Sequence, residues 1–222
     1  MYVPAHFAMT PEQVGAVLAS GPAGDLVTHG PDGLVATYLP MLHDADGSRF
    51  GRLIGHLSLV NDQWRPAASG QPVEALFVLH GPDDYVQAEW LSTPESPNVP
   101  TWNYVTVHVW GDLVVHQDAD WMLDAVRRLS VAHGDASVDA LEPAAVQKLL
   151  RAVVGIELRI TRLEGKAKMS QNKTPQVIGQ VIDGLRGAGG DATADWMEAH
   201  TLPRAQAKAD LLAGLRERNA TR

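Results

Sequence analysis

The sequence contains no cysteine among its 222 residues. This absence excludes disulfide bonds, thiolate metal ligands and cysteine nucleophiles together. No apolar run approaches the roughly 18 consecutive residues that a membrane-spanning helix needs. The first residues have neither a cationic start nor an apolar stretch, so no signal peptide is expected. The remaining composition, with 45% apolar and 20% charged residues, is that of an ordinary globular protein, and we expect a cytoplasmic one with no membrane contact.

Positive charge is also scarce, since 18 Lys and Arg face 26 Asp and Glu, which gives a net charge of −8. A protein that holds DNA through its phosphates needs a basic surface, so this balance argues against direct contact with DNA. The exception is the segment 157–173, in which five basic residues face two acidic ones. These are Arg159, Arg162, Lys166, Lys168 and Lys173 against Glu157 and Glu164.

The common signatures of enzyme sites are missing as well. The glycines between Gly184 and Gly190 follow a predicted helix, whereas a dinucleotide fingerprint follows a strand. There is no P-loop, no zinc-protease helix motif and no nucleophile elbow. The nine histidines are scattered without ligand spacing, so no metal site is predicted and no catalytic residue can be named.

Alternation of apolar and polar residues predicts six or seven mostly antiparallel strands, and spacings of three and four predict helices, most of them late in the chain. Strands are predicted at 25–29, 34–43, 50–58, 73–80, 102–110, 113–117 and 155–165, with 84–88 as a further short candidate, and helices at 10–20, 119–133, 143–153 and from Thr174-Pro175 onward. Turns are predicted at 31–33, 44–47 and, as a hairpin, at Gly111-Asp112. The order predicts an α+β fold, an antiparallel barrel with peripheral helices.

A change of composition at Gly187 suggests a boundary. We expect one domain over 1–186 and a helical C-terminal extension over 187–222, after a linker of alanine and glycine.

Several segments, in order and at the right spacing, resemble the PaiB family of FMN-binding negative transcriptional regulators. They cover residues 1 to about 185 and include 1–7, 36–40, 55–57 with Asn61 and Trp64, 80–82 with Tyr85 and Trp90, 99–105, and 163–172. The resemblance implies a split β-barrel that pairs with a second copy, holds FMN between subunits, and represses transcription through DNA. Two positions depart from the family. Tyr38 stands where the family commonly has histidine, and Ser58–Asp62 lacks an arginine that the family carries there, which removes a candidate phosphate contact.

The basic segment has the chemistry that FMN requires. Lys166, Lys168 and Ser170 share one face if their strand continues. Thr174-Pro175 then begins a helix whose unpaired N–H groups attract anions. Together they form a candidate cradle for a dianionic phosphate. The alternative is an edge strand protected by lysines, followed by an ordinary helix cap.

Two amides directly after Ser170 and two residues of the strand predicted at 102–110 complete this candidate group. Gln171 and Asn172 carry the donors and acceptors that can read the polar edge of a flavin ring. Asn103 lies in phase with valines and needs partners, which are flavin, a second subunit or the proline-rich loop of residues 91–100. Trp102 stacks on the cofactor or belongs to the core.

Three further candidates come from earlier strands. His56 is either a ligand contact or a structural histidine, Asn61 follows it closely, and Thr37 offers a hydroxyl.

Three functions remain open at this stage. They are a regulator with flavin as its ligand, an FMN-dependent oxidoreductase acting on an unknown small molecule, and a dimeric barrel that no longer binds flavin.

Overall fold

The computed structural model describes residues 1–21, 23–31, 33–71, 73–93 and 96–220. The predicted turn at 31–33 includes Asp32, and the predicted extension ends at Thr221 and Arg222, which lie outside these ranges. The chain forms two compact units. The first unit comprises Met1 together with Thr10–His80 and Val107–Glu164. The second unit comprises Tyr2–Met9, Gly81–Thr106 and Gly165–Arg222.

Seven strands among the described residues form one sheet, in which β1 pairs antiparallel with β2 and β5, and β4 pairs antiparallel with β3 and β7. The sheet order is β2-β1-β5-β6-β7-β4-β3. The strands are β1 (Ala23–Gly30), β2 (Gly33–Pro40), β3 (Leu42–Asp44), β4 (Arg52–Ser58), β5 (Val73–Val86), β6 (Thr101–His116) and β7 (Val153–Lys168).

The two edge strands, β2 and β3, follow each other along the chain with only Met41 between them. Since a one-residue connection cannot span a flat seven-stranded sheet, the two edges are brought together at this point. Met41 itself is 1% exposed. The edges do not pair by hydrogen bonds within the described residues, so the barrel is split, as the sequence predicts.

The helices accompany this sheet. The α-helices of the described residues are α1 (Pro11–Ala19), α2 (Ala88–Leu91), α3 (Ala119–Ala132), α4 (Pro143–Leu150), α5 (Pro175–Gly187), α6 (Asp191–Trp196) and α7 (Leu202–Ala220). Short 3₁₀-helices span Ala5–Phe7, Asp62–Ser69 and Ser137–Ala140, and a π-helical turn spans Met197–Thr201. None of the described helices is long and apolar enough to cross a membrane.

The predicted start of α1 is confirmed in detail. Thr10 accepts a hydrogen bond from the backbone N–H of Gln13, and the Gln13 side chain accepts one from the N–H of Thr10. This capping box satisfies two N–H groups that an uncapped helix leaves unpaired. Thr174 caps α5 in the same way through the N–H of Val177.

The alternation predicted for β6 is also confirmed. Asn103, Val105, Val107 and Val109 are all buried, while the intervening side chains are half-buried or exposed. This face of β6 forms part of the core.

The predicted hairpin at Gly111-Asp112 is wrong, because β6 continues through both residues to His116. A Cβ at Gly111 would stand 2.3 Å from the backbone oxygen of Arg159, so this glycine permits a close approach of β7 rather than a turn. Gly81 explains a second difference in the same way. A Cβ there would stand 2.8 Å from the Cβ of Val105, and the two strands predicted at 73–80 and 84–88 are the single strand β5.

Two other predicted elements are shorter than expected or interrupted. The strand predicted at 34–43 breaks at Met41 into β2 and β3, directly after Pro40, which lacks the N–H that a continuing ladder requires. The helix predicted at 143–153 ends at Leu150, because Val153 already belongs to β7.

Candidate functional site

The ten residues predicted from the sequence fall into two groups, one in each unit. The group in the second unit contains Trp102, Asn103, Lys166, Lys168, Ser170, Gln171 and Asn172. The group in the first unit contains Thr37, His56 and Asn61.

Lys168, the last residue of β7, lies in a cleft of the second unit and not in open solvent. Its Nζ donates to the Thr101 hydroxyl and to the backbone oxygen of Trp102, both at 2.5 Å. The cleft has a volume of about 190 Å³, and we call it the Lys168 cleft. It is lined by Phe7, Leu91, Asn98, Val99, Thr101, Asn103, Lys168, Ser170, Asn172 and Lys173.

Lys173 and Asn98 line the cleft but were not predicted as site residues by the sequence analysis. Lys173 also reaches this cleft, where its Nζ donates to the side-chain oxygen of Asn98. Asn98 is held by donating its amide to the backbone oxygens of Leu91 and Ser96, both at 2.9 Å. The predicted proline-rich loop was the signal available, because loops on a rigid scaffold often carry the binding residues.

Ser170 reaches the cleft by a different route from the predicted one. The strand ends at Lys168, so the expectation that Lys166, Lys168 and Ser170 share a strand face is wrong for Ser170. Ser170 instead adopts a left-handed backbone with φ 60°, which is uncommon for a residue other than glycine. Its hydroxyl donates to Asn103 Oδ1 at 3.1 Å.

Asn103 is fully buried, and its hydrogen bonds are internal to the second unit. Its Nδ2 donates to the Met197 sulfur at 3.3 Å, and its Oδ1 accepts from Ser170. The described residues of the proline-rich loop form no hydrogen bond with the Asn103 side chain. Asn103 fixes the left-handed turn of Ser170 against the π-helical turn that begins at Met197.

The two amides after Ser170 differ in what they offer. The Gln171 side chain accepts from the backbone N–H of Met169 and donates to the backbone oxygen of Ala167, so it closes its own turn. Asn172 is exposed on the rim of the cleft and makes no side-chain hydrogen bond within the described residues. Asn172 is therefore the amide that remains open to a ligand.

The aromatic side chains beside this group are not core residues. Trp102 is 53% exposed, so its interpretation as a core residue is wrong, and it meets Tyr85 edge-to-face at 5.9 Å between ring centroids. Lys166 lies on the same face of β7 as Lys168, but its ammonium stands 5.3 Å from the centre of the Tyr104 ring. Lys166 is thus engaged with an aromatic ring and does not line the cleft.

The positive charge of the segment is concentrated on its lysines. Arg159 pairs with Glu157 and Arg162 pairs with Glu164, so the excess of three charges resides on Lys166, Lys168 and Lys173. Burial lowers the pKa of Lys168, and the neighbouring charge of Lys166 lowers it further. An anion in the cleft would compensate both effects.

In the first unit, Thr37 and Asn61 are in direct contact. Asn61 Nδ2 donates to the Thr37 hydroxyl at 2.9 Å, and the Thr37 hydroxyl donates to Gln63 Oε1 at 2.5 Å. The buried Gln63 then donates to the backbone oxygens of Leu26 and Val35. These polar groups fasten the 3₁₀-helix Asp62–Ser69 to β1 and β2.

His56 is not joined to that pair by any hydrogen bond within the described residues. It lies on β4 opposite Gly155 of β7 and is half-buried. Burial lowers its pKa, which favours a neutral ring at pH 7.

The arrangement in the second unit suits a small anion. Sites that enclose a whole small-molecule ligand have volumes of about 300–1,000 Å³, and the Lys168 cleft is smaller than this. Two ammonium groups, a hydroxyl and an amide within a cleft of this size match a phosphate with the start of its polar chain.

A family model described as "putative FMN-binding domain" matches residues 1–162. Among curated proteins, protease synthase and sporulation protein PAI 2 of Bacillus subtilis is 28% identical over 191 residues, which are 84% of this chain and 89% of that protein. An uncharacterized protein of Emericella nidulans is 26% identical over 193 residues, 71% of this chain and 77% of its own.

Two solved structures share the fold. The flavocytochrome Anf3 from Azotobacter vinelandii matches with a TM-score of 0.56 at 18% identity, covering 75% of this chain and 72% of its own. The FAD and heme binding protein from Mycobacterium smegmatis matches with a TM-score of 0.54 at 19% identity, covering 72% of this chain and 71% of its own. At such identities the similarity concerns the split-barrel architecture.

Proposed function

This chain belongs to the family of FMN-binding domains whose model spans its residues 1–162, and from that premise we propose that it is a regulator that uses FMN as a ligand. FMN is the cofactor of the family, and when bound it supplies flavin redox chemistry, while the protein supplies binding and orientation. The observation that carries the proposal is the Lys168 cleft. The phosphate is held there by Lys168 and Lys173, with Ser170 and Asn172 beside them.

The electrostatics of the cleft support a dianionic occupant. Lys168 loses hydration by burial and lies near a second positive charge. A phosphate placed between Lys168 and Lys173 restores favourable interactions to both ammonium groups. Charge-assisted hydrogen bonds of this kind are stronger than hydrogen bonds between neutral groups. Because the cleft is small, the ring of FMN lies outside it.

The proposal includes a homodimer. On β2, β1 and β5 of the first unit, cross-strand pairing places Ala36 beside Val27 and Val27 beside Leu76. The same face carries Leu34 and Tyr38, which are 77% and 68% exposed. We call this the outer apolar face, defined by Val27, Leu34, Ala36, Tyr38, Leu76 and Val78. Asp25 of β1 lies on the same face between Tyr38 and Val78 and pairs with His80. A largely apolar sheet face of this kind suits a second copy of the chain.

The regulatory role and contact with DNA both rest on the PaiB resemblance, and the relative PAI 2 is named for protease synthesis and sporulation. The net charge of −8 disfavours DNA contact through phosphates, so the proposal gives the flavin, rather than a DNA surface, the central part. A cytoplasmic location remains a prediction of the sequence.

The site is tested by comparing FMN with riboflavin, which lacks the phosphate. For the protein as purified and stripped of flavin, we expect tighter binding of FMN than of riboflavin, followed by flavin fluorescence. Lys168→Met keeps most of the side-chain length but removes the charge. It should weaken FMN roughly tenfold to hundredfold, the effect of losing one charge-assisted hydrogen bond, and leave riboflavin nearly unchanged.

Lys148→Met is the matched control, because Lys148 is an exposed lysine of α4. It should retain the wild-type preference for FMN. If Lys168→Met binds FMN and riboflavin in the wild-type ratio, the phosphate is held elsewhere and the proposed site is wrong.

A second measurement separates the regulator from the oxidoreductase. Reduced nicotinamide is added to the FMN-loaded protein, and the flavin absorbance is followed. A stable yellow colour is expected of a regulator. Repeated bleaching and recovery in air, with consumption of the nicotinamide, would instead establish an FMN-dependent oxidoreductase.

A further inference from the structure

A second and larger cleft lies in the first unit, between the end of the 3₁₀-helix Asp62–Ser69 and the end of β6. Its volume is about 530 Å³, within the range of about 300–1,000 Å³ that is usual for sites enclosing a small molecule. None of the ten residues predicted from the sequence lines it. We call it the Arg159 cleft, after the one charged residue among its described lining residues.

A hydrogen bond to Glu157 fixes the Arg159 side chain. Its Nε donates to Glu157 Oε1 at 2.7 Å, and the side chain of Glu157 is only 3% exposed. The Arg159 side chain is itself 60% exposed, and its terminal nitrogens make no hydrogen bond with the described residues. The guanidinium therefore has a fixed base and an open outer edge.

Arg159 shares the carboxylate of Glu157 with other groups. The same carboxylate also accepts from Arg52 at 3.0 Å and contacts the His116 ring at 3.1 Å, and Arg52 pairs in addition with Asp44 at 2.8 Å. The contact with Glu157 uses only the Nε of Arg159, so its terminal nitrogens can pair with a ligand. A bound anion would complete the pairing of Arg159.

The remaining walls are apolar, with two amides. The apolar lining comes from Leu113, Val114 and Val115 of β6 and from Ala67 and Ala68 of the 3₁₀-helix. Gln71 and Gln117 add donors and acceptors at the rim. Small side chains on the helix keep the space open, since even a Cβ added at Gly70 would meet nothing within 4 Å.

We propose that the Arg159 cleft binds a small organic carboxylate, with its carboxylate paired in bidentate fashion to Arg159 and its apolar body against the valines of β6. The geometry of a guanidinium fork matches a carboxylate, and the apolar wall provides the contact that a bare inorganic anion would not use. This binding is separate from the FMN site and does not depend on the proposed function.

The test uses 2-naphthoate and its neutral counterpart 2-naphthamide as probes, with binding to the full-length protein followed by calorimetry. We expect one naphthoate per chain and at least roughly tenfold weaker binding of the amide, the effect of losing one charge-assisted contact. Arg159→Lys keeps the charge but loses the fork, and it should weaken naphthoate while leaving naphthamide unchanged.

Ala68→Phe is an independent variant, because Ala68 is exposed on the 3₁₀-helix and a phenyl group there fills the cleft without burdening the core. It should abolish binding of both probes and leave FMN retention intact. Arg65→Lys, on the same helix and outside the cleft, is the control and should change nothing.

Three results would each overturn the proposal. They are a wild-type protein that binds no naphthoate, equal affinity for naphthoate and naphthamide, and loss of FMN in Ala68→Phe. The last result would assign the cleft to the flavin instead of a separate ligand.

Discussion

The carboxylate of Glu157 connects several strands of the sheet through charge. Glu157 lies on β7 and is 2% exposed, and it contacts Arg52 of β4, His116 of β6 and Arg159 of its own strand. Burial opposes its ionisation, but the hydrogen bond from Arg159 and the charge of Arg52 outweigh this, so the pKa is lowered from its ordinary value of 4.5. The ionised carboxylate therefore stabilises the folded state.

Replacing this carboxylate by Glu157→Gln should destabilise the fold at pH 7 by about 2–3 kcal/mol. This is less than the usual cost of breaking a fully buried pair, because Arg52 and Arg159 retain access to water. A group with a lowered folded-state pKa contributes stability above its unfolded pKa and loses it as the pH falls through the folded pKa. The difference in the free energy of unfolding between wild type and variant should therefore shrink below pH 4.5. Urea unfolding at a series of pH values from 7 downward measures this difference.

Glu74→Gln is the control for that series, because Glu74 is exposed on β5. It should follow the wild-type pH dependence. If the free energies of unfolding of Glu157→Gln and wild type differ by the same amount at pH 7 and at acidic pH, the charge of Glu157 is not what stabilises the fold.

At this scale the sequence predicted part of the candidate site. The charge excess in 157–173 led to Lys168, because unpaired lysines stand out in an acidic chain. The sequence alone could not distinguish Lys168 from Lys166, because both lie on the same face of the strand. Their roles differ because the ammonium of Lys166 lies over the Tyr104 ring. The place of Ser170 depends on a left-handed φ, which no periodicity encodes.

Among the elements, the segment after Gly187 is packed more closely than a linker and a tail would be. Thr193, Ala194 and Met197 are each 0% exposed, and the sulfur of Met197 accepts from Asn103 of β6. The predicted boundary at Gly187 stays a prediction, but the helices beyond it are part of the second unit. The same segment therefore supports the turn that holds Ser170.

Met197→Ala should destabilise the second unit by about 2–5 kcal/mol, the usual cost of truncating a buried methionine. Met197→Leu retains the volume but not the sulfur acceptor, so it should cost less than about 1.5 kcal/mol plus the loss of one weak hydrogen bond. Leu211→Ala on α7, where the side chain is 60% exposed, provides the comparison and should change stability little. Chemical unfolding of the three variants measures the difference, and a Met197→Ala protein as stable as Leu211→Ala would contradict the packing described.

Glycines account for two of the differences between the predicted and observed elements. Gly111 was predicted to form a turn and Gly81 lies in the gap between two predicted strands, but both residues permit a close approach between strands. A single sequence cannot separate these two uses of glycine, because both need the absence of a Cβ. Cap residues were reliable at Thr10 and Thr174, because their hydrogen bonds are local.

At the scale of the whole molecule, we propose that a second copy of the chain covers the outer apolar face. Ala36→Glu places a charge in the middle of this face, beside Val27 of β1. Ala36 is exposed, so the fold of one chain should tolerate the change. We expect a protein that is dimeric by light scattering to become monomeric in this variant, because a charge buried at an apolar interface lacks a partner.

Val131→Glu is the matched control, since Val131 is 60% exposed on α3 and lies outside the outer apolar face. It should leave the dimer intact. A wild-type protein that is monomeric at micromolar concentration, or a dimer indifferent to Ala36→Glu, would show that this face does not join two copies.

The single residue between β2 and β3 also determines how this chain can assemble. The hairpins β1–β2 and β3–β4 are local, and such pairs form within microseconds. The other side of β4 must wait for a strand near the end of the barrel, since Arg52 pairs with Arg159. A nascent chain on the ribosome therefore carries two local hairpins joined at Met41, in which β1 still lacks β5 and β4 still lacks β7. The edge of β4 stays available to wrong neighbours for longer, until β7 has been synthesised.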